Sequence, residues 1–232
     1  MLIFYKNYDT KKKLLIVVPY RNRQNHLNEF IPYITNTLRL QRIETKIVIV
    51  EQNEGKLFNR GLLCNIGFHL YNNWCDYVVF HDVDMICDII DYSYSSKPTS
   101  LLRHRTKKNT IYDGYFGGIT LFPKNDFLKI NGFSNEYWGW GAEDDDLRYR
   151  CYLYGLSVLT RDGWCEDLEL TTNDENRVKN PHYQSNLSKL QNLRNKKDKS
   201  LIDQDGLSNI DSYFKIISQP QHSSHTLVSV KV

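Results

Sequence analysis

Three short aliphatic runs constrain this chain more than any other feature: 14–18 (LLIVV), 46–51 (KIVIVE) and 77–81 (YVVFH). Each is continuous rather than alternating, as expected of a strand covered on both faces of its sheet. Between the first two, Leu27, Phe30, Ile31, Ile34 and Leu38 form a helical stripe, in which Pro32 should kink the helix or mark its start. Between the second and third, 58–71 reads as another helix. Strand, helix, strand, helix, strand predicts an α/β chain with a mostly parallel central sheet flanked by helices. In such sheets ligands bind beyond the carboxyl ends of the strands.

Further along, 87–112 is polar and irregular and reads as an insertion. Strand character resumes at 115–122 (YFGGITLF), where Gly117-Gly118 lets a ligand approach the backbone closely. A short helix is predicted at 123–130, then a loop rich in Gly and aromatics (131–142, NGFSNEYWGWGA), a helix at 143–154 and a strand at 156–160. Beyond Thr171 the chain turns to Asn, Lys and Ser, and apart from a helix face at 189–199 no element is assigned there.

The bulk properties mainly exclude. A net charge of +3 is too small for a nucleic-acid partner, and the basic run 189–199 reads as a solvated helix face. No apolar run approaches the length of a bilayer span, and the first residues lack the apolar core of a signal peptide. The five cysteines, at 64, 75, 87, 151 and 165, give neither a paired framework nor a CxxC metal site; reduced thiols in a cytosol are the simplest expectation.

The residues suited to chemistry gather at predicted strand ends and loops. Asp82 and Asp84 stand two apart after the third strand, so in extended chain they point the same way and offer hard oxygens to Mg²⁺ or Mn²⁺. A turn or a strand-end cap is the bland alternative. Pro19, Arg21 and Arg23 follow the first strand, where two guanidiniums suit phosphate or uridine. Arg60 opens a helix, where a cation is unfavourable unless it meets an anion or a surface partner. Glu143, Asp144, Asp145 and Asp146 adjoin one another after Trp138-Gly139-Trp140-Gly141. They read either as an acidic first turn of a helix or as a run holding a general base, with the tryptophans placed to stack on sugars.

These segments resemble the β-1,4-galactosyltransferase family, which includes the enzyme adding galactose to xylose in proteoglycan linkers. The matches are VPYRNR (18–23), FNRGLLCNIGF (58–68), FHDVD (80–84), YFGGITLF (115–122), NGFSNEYWGWGAEDDD (131–146) and DGLSNI (205–210), in the family's order over most of the chain. The resemblance implies a GT-A fold, a Mn²⁺ requirement (Mg²⁺ as a substitute) and inverting transfer from a UDP-sugar such as UDP-galactose to a saccharide acceptor. It implies Asp84 as metal ligand and Asp144 as catalytic base. Pro19, Arg21, Arg23, Phe58 and Arg60 would bind the nucleotide, with Asp82 at ribose or a water near the metal. Tyr115 and Gly118 would lie at the donor sugar, Trp140 would cover the donor, and Glu143 and Asp145 would meet donor and acceptor hydroxyls. A single domain, 1–232, is expected, with a nucleotide-sugar core at 13–160 and a metal- and acceptor-side extension at 161–232.

One departure stands out. Where the family has Met/His or His-x-His metal ligands, this chain has WCEDLELTTNDENRVKNPH (164–182). Glu166, Asp167, Glu169 or Asp174 would have to substitute, or His182 to reach, and oxygen ligands would favour hard ions and tolerate acid. The family's membrane anchor and disulfide cysteines are also missing, implying a viral or bacterial type of enzyme in the cytoplasm, or the Golgi lumen only for a trimmed chain. Two competing readings are a sugar- or nucleotide-binding module that has lost turnover, and a two-metal phosphoryl-transfer enzyme, in which the Trp-Gly loop would have no purpose.

Overall fold

The computed structural model describes residues 11–105, 114–168 and 181–232. The first strand, β1 (Leu14–Tyr20), is buried along its whole length. Helix α1 (Gln24–Gln41) follows, then β2 (Thr45–Gln52), α2 (Arg60–Tyr71) and β3 (Tyr77–His81). Strands β1, β2 and β3 pair in parallel, with β1 in the middle. The expected alternation is therefore observed, with a parallel centre to the sheet.

Both faces of that centre are covered, which is why the strand runs do not alternate. Leu15, Val17, Val48 and Val50 pack with Leu62, Leu63 and Ile66 of α2 on one side. Leu14, Ile16, Val18, Ile47 and Ile49 pack with Leu27, Phe30, Ile34 and Leu38 of α1 on the other. Each fully buried side chain of this kind contributes roughly 1.5–3 kcal/mol. Pro32 neither starts nor stops α1, which runs from Gln24 through it to Gln41. Pro32 and Asn28 are both exposed, so water can satisfy the carbonyl that loses its helical bond.

As far as Arg105, where the described residues pause, segment 87–112 is more ordered than expected. It contributes β4 (Met85–Ile89), β5 (Thr99–Ser100) and β6 (His104–Arg105). Next, β7 (Ile119–Pro123) pairs antiparallel to β3, so the predicted strand 115–122 begins only at Ile119. Helices α3 (Lys124–Lys129) and α4 (Glu143–Leu153) lie where expected. The strand predicted at 156–160 shrinks to β8 (Leu159–Thr160), and β9 (Trp164–Asp167) pairs antiparallel to β4.

The largely unassigned tail holds α5 (Pro181–Lys196), α6 (Lys199–Asp203), a 3₁₀ turn (Leu207–Ser212), β10 (Lys215–Ser218) and β11 (Thr226–Lys231). Strand β11 joins the main sheet in parallel beside β2, giving the order β10-β11-β2-β1-β3-β7-β5-β8.

The pairing of β4 with β9 sets Cys87 opposite Cys165, and the two form a disulfide. Reduced cysteines were the expectation at all five positions; only Cys64, Cys75 and Cys151 are free, and all three are buried. The bond went unread because its partners are 78 residues apart and only the strand register brings them together. Among the described residues no helix is long and apolar enough to cross a membrane.

Candidate active site

Strand direction decides which segments meet. Because β1 and β3 run parallel, the 19–23 turn and Asp82-Val83-Asp84 leave the sheet at the same edge. Because β7 runs antiparallel to β3, the stretch before it arrives at that edge too: His81 is opposite Ile119, and the Asp82 amide donates to the Gly118 carbonyl at 3.0 Å. The β4–β9 pairing sets Met85 opposite Asp167, and the Leu168 amide donates to the Asp84 carbonyl at 2.9 Å. Asp167 is thereby delivered beside Asp84 from a segment distant in sequence.

The resulting cleft, of about 810 Å³, is lined from five directions. Pro19, Arg21 and Arg23 come from the end of β1, and Phe58 and Arg60 from the start of α2. Asp82 and Asp84 follow β3, while Tyr115 and Gly118 precede β7. Trp140, Glu143, Asp144 and Asp145 come from the loop and first turn of α4. The thirteen residues to which the resemblance gave a site role thus line one cleft, together with Asp167 and Gly117, also named from the sequence, and with Tyr183 and Leu187, which were not.

Local contacts fix these side chains. Arg21 donates to the Lys56 carbonyl at 2.8 Å and lies 5.3 Å from the centre of the Phe58 ring, so the two nucleotide-side motifs brace each other. Arg60 Nε donates to Asp82 Oδ1 at 2.7 Å, in a largely buried ion pair. Its Nη2 is also buried, yet has no hydrogen-bond partner among the described residues. A buried unpaired donor costs about 1–3 kcal/mol, so this atom is poised for an acceptor brought by a ligand.

Asp144 lies against Gly117. A Cβ there would collide with its Oδ2 and would sit 2.9 Å from the Tyr115 hydroxyl, so the close approach requires glycine. Asp144 Oδ1 accepts from the Asp145 amide at 2.9 Å. Burial, and then the neighbouring Asp145, hold the Asp144 carboxyl above the ordinary range. Burial, then Asp144, push Glu143 up to about 7.

At the other end of the cleft, burial and then Asp82 and Asp167 push Asp84 up to about 7. Asp82 and Asp167 lie near enough to act on the Asp84 charge, a repulsion that a hard divalent cation would relieve. His182 is exposed at the start of α5 and is not among the residues lining the cleft. Glu166 lies in β9, whereas Glu169 and Asp174 fall outside the described residues. Among the described residues no group of three His, Cys, Asp or Glu is arranged as a metal site.

The loop before α4 is held at both ends. Gly139 donates to the Phe58 carbonyl at 2.8 Å, and Asn186 of α5 donates to the carbonyls of Trp138 at 3.1 Å and Trp140 at 3.4 Å. Trp140 is 39% exposed and packs on Tyr183, ring centres 5.4 Å apart. Trp138 does not line the cleft as expected; it packs on the core beneath Lys56, because the chain turns between the two tryptophans at Gly139, φ 78°.

Several motif residues are structural. Asn59 caps α2 and donates to the Asn135 carbonyl at 2.8 Å. Asn65 donates to the Phe133 carbonyl and Asn135 Oδ1, and Asn135 donates to the Gly206 carbonyl and Asn209 Oδ1. Buried amides thus knit the 58–68, 131–146 and 205–210 segments together. His81, next to the carboxylates, is buried against the Tyr92 hydroxyl, and burial pulls it down to about 4. Its two ring nitrogens are engaged by the Asp82 carbonyl and the Tyr92 hydroxyl, so neither faces a metal in the cleft.

Residues 5–95 match the family described as the N-terminal region of glycosyl transferase group 7, and residues 99–172 match the N-terminal domain of galactosyltransferase. Human beta-1,4-galactosyltransferase 4 is 40% identical over 154 residues, which cover 63% of this chain and 44% of that protein. Xylosylprotein 4-beta-galactosyltransferase of Caenorhabditis elegans is 34% identical over 160 residues, 67% of this chain and 55% of that protein. The chain spans about half the length of these relatives. The catalytic domain of Drosophila beta-1,4-galactosyltransferase 7, solved with xylobiose, superposes with a TM-score of 0.74 at 26% identity, covering 95% of this chain and 94% of that one. A mutant of that enzyme solved with manganese, UDP-Gal and xylobiose gives a TM-score of 0.76. The architecture is accordingly the expected GT-A fold.

Proposed function

We propose, because the chain belongs to the β-1,4-galactosyltransferase family, that it transfers a hexose, galactose by preference, from a UDP-sugar to a hydroxyl of a saccharide acceptor, with inversion to a β linkage. The observation that carries this is the cleft itself: a half-buried carboxylate, Asp144, and the Arg60 guanidinium, whose buried Nη2 has no hydrogen-bond partner among the described residues, occupy one cavity with the carboxylates Asp84 and Asp167. That combination supplies a base for the acceptor, a donor for an anionic leaving group and oxygens for a cation.

Asp144 takes the proton of the acceptor hydroxyl as its oxygen attacks the anomeric carbon from the face opposite UDP. The sugar passes through a transition state of oxocarbenium character, as in glycoside hydrolysis. Arg60 donates Nη2 to the diphosphate, while its bond to Asp82 holds the guanidinium plane in place. Arg21 and Phe58 frame the uridine side, and Glu143 and Asp145 receive sugar hydroxyls. Asp84 and Asp167 would hold Mn²⁺ or Mg²⁺, which when bound stabilises charge growing on the departing diphosphate. Segment 161–232 would then act on the metal and acceptor side through Asp167 and α5, although β11 belongs to the sheet. An oxidising compartment suits the Cys87–Cys165 disulfide better than the cytosol expected from the sequence.

The direct test is transfer of labelled sugar from a panel of UDP-sugars to xylose, N-acetylglucosamine and glucose, with and without Mn²⁺. Donor binding with no transfer to any acceptor would favour the binding-module reading.

Tyr115 sets the donor preference. Its hydroxyl lies against Gly117 and Gly118 at the donor side of the cleft, where it limits room for a C2 substituent. Tyr115→Leu should raise kcat/KM for UDP-N-acetylgalactosamine about tenfold or more relative to UDP-galactose, the scale for relieving a clash in a shaped pocket. A parent protein that already prefers the N-acetylated donor would refute the assignment.

Trp140 should close over bound donor and exclude water. Its flanking residues Gly139 and Gly141 have φ of 78° and 104°, so the loop can take backbone angles closed to other residues. Trp140→Ala is expected to raise the donor KM and the ratio of UDP-sugar hydrolysis to transfer. Protection of the loop from protease by UDP plus Mn²⁺ reports the closure directly; identical cleavage with and without ligand means a rigid loop.

A further inference from the structure

A second cavity, of about 540 Å³, adjoins the cleft and shares one residue with it, Asp145. Its floor is one face of α4. Asp145, Arg148, Tyr149 and Tyr152 are spaced three, four and seven residues on from the first, the spacing that aligns side chains along a helix. Seven residues rise about 10 Å along the axis, so the face leads from Asp145 away from the cleft. Its opposite wall is Arg194 near the end of α5 and Lys197, the residue just beyond it.

The chemistry of this cavity differs from that of the cleft. Three cations and a single carboxylate line it. Tyr149 and Tyr152 stack with ring centres 5.6 Å apart at an interplanar angle of 27°, and Tyr152 is 67% exposed. Tyr149 is half-buried and donates to the Arg194 carbonyl at 3.3 Å, whereas the exposed Tyr152 buries little in the fold and offers a flat π-surface to the C–H face of a pyranose. Arg194 lies 5.8 Å from the Tyr149 ring centre and 4.0 Å from Asp145, so the guanidinium is held between the aromatic pair and the shared carboxylate.

We propose that this cavity is an acceptor subsite for an acidic saccharide unit, a uronate or a sulfated sugar, lying next to the sugar that receives the transfer. The proposal rests on the glycosyltransferase reading of the cleft. The tyrosines carry the ring of the unit, and Arg148, Arg194 and Lys197 meet its anionic group. Asp145 marks the junction between the reactive sugar and this neighbour. Acceptors would thereby be chosen by charge one residue away from the chemistry.

The test compares two disaccharides with the same reactive terminal sugar, one followed by glucuronate and one by glucose. Binding is measured by calorimetry with UDP and Mn²⁺ present, and kcat/KM is measured in parallel. The uronate disaccharide is expected to bind about tenfold more tightly, the scale of one charge-assisted hydrogen bond, and the difference should shrink with added salt. Replacing the uronate by a sulfated sugar shows which anion fits better. Arg194→Gln with Lys197→Gln should equalise the two disaccharides, and Tyr152→Ala should weaken both equally. Both sets of changes should leave turnover on the free monosaccharide intact. Equal affinity for the two disaccharides in the parent protein overturns the subsite, as does a preference unmoved by the double substitution. Because binding is read apart from turnover, absence of transfer to every acceptor would count against the enzymatic reading and not against the subsite.

Discussion

Asp144→Asn should lower kcat by about 10²–10⁴-fold, the usual cost of removing a general base, while calorimetry with UDP and Mn²⁺ shows donor-side binding unchanged. The carboxamide has the shape of the carboxylate, can still lie against Gly117, and keeps an oxygen to accept from the Asp145 amide. What it loses is the capacity to take a proton. The pH profile supplies an independent check. Asp144 is held above the ordinary carboxylate range by burial and then by Asp145, and a base works only when ionised. Turnover must therefore fall as pH drops through that raised value, at a higher pH than an exposed aspartate would give. The residual activity of Asp144→Asn should lack this limb. Glu143 is the rival, since it adjoins Asp144 and is pushed up to about 7. Near-normal transfer by Asp144→Asn, coupled with an inactive Glu143→Gln, would move the base by one residue.

Much of this site was legible because of how a parallel sheet works. Strands covered on both faces need unbroken aliphatic runs, so 14–18, 46–51 and 77–81 declare themselves, and polar residues just beyond them fall at one edge. Asp82, Asp84, Arg21 and Arg23 were found on that logic alone. The long motif strings were legible for a different reason: Asn59, Asn65 and Asn135 are buried amides bonded across segments, and they constrain the chain without taking part in chemistry. What escaped notice depends on distant pairing. Two-residue strands such as β5, β6 and β8 carry no periodicity. Strand β11 does, but its partner β2 lies far back in the sequence and its surroundings are polar. In α5, Leu187, Leu190 and Leu193 recur every third residue, a faint stripe among Asn, Lys and Ser. No sequence pattern shows that Asn186 and Tyr183 on the same helix hold the Trp140 loop. The Cys87–Cys165 bond and the placing of Asp167 beside Asp84 both follow from the register of β4 against β9.

That register also decides the metal experiment. Asp84 follows β3, Asp167 ends β9, and Asp82 stands close enough that both neighbours raise the Asp84 carboxyl. Asp82 is bonded to Arg60, and Asp84 and Asp167 line the same cleft close enough to act on one another's charge, which makes them the pair to test as cation ligands. Chelation of divalent cations should abolish transfer, and Mn²⁺ should restore it. Mg²⁺ should restore it better than at imidazole sites, because carboxylate oxygens are hard ligands. Asp84→Ala should lose more than about 100-fold in metal-dependent activity. Asp167→Asn should raise the Mn²⁺ concentration for half-activation by at least about 10-fold, since even indirect partners of a metal commonly cost 10–100-fold. Mn²⁺ binding followed by electron paramagnetic resonance separates loss of metal from loss of chemistry: both variants should bind it weakly, whereas Asp144→Asn should bind it normally. His182→Ala should leave metal binding and activity unchanged, because His182 is exposed outside the cleft lining. Full metal-dependent activity in Asp84→Ala would remove the centre from this edge of the sheet. A selective loss in His182→Ala, with Asp167→Asn intact, would return an imidazole to the ligand set and require His182 to turn inward at the start of α5, where the next residue, Tyr183, already lines the cleft.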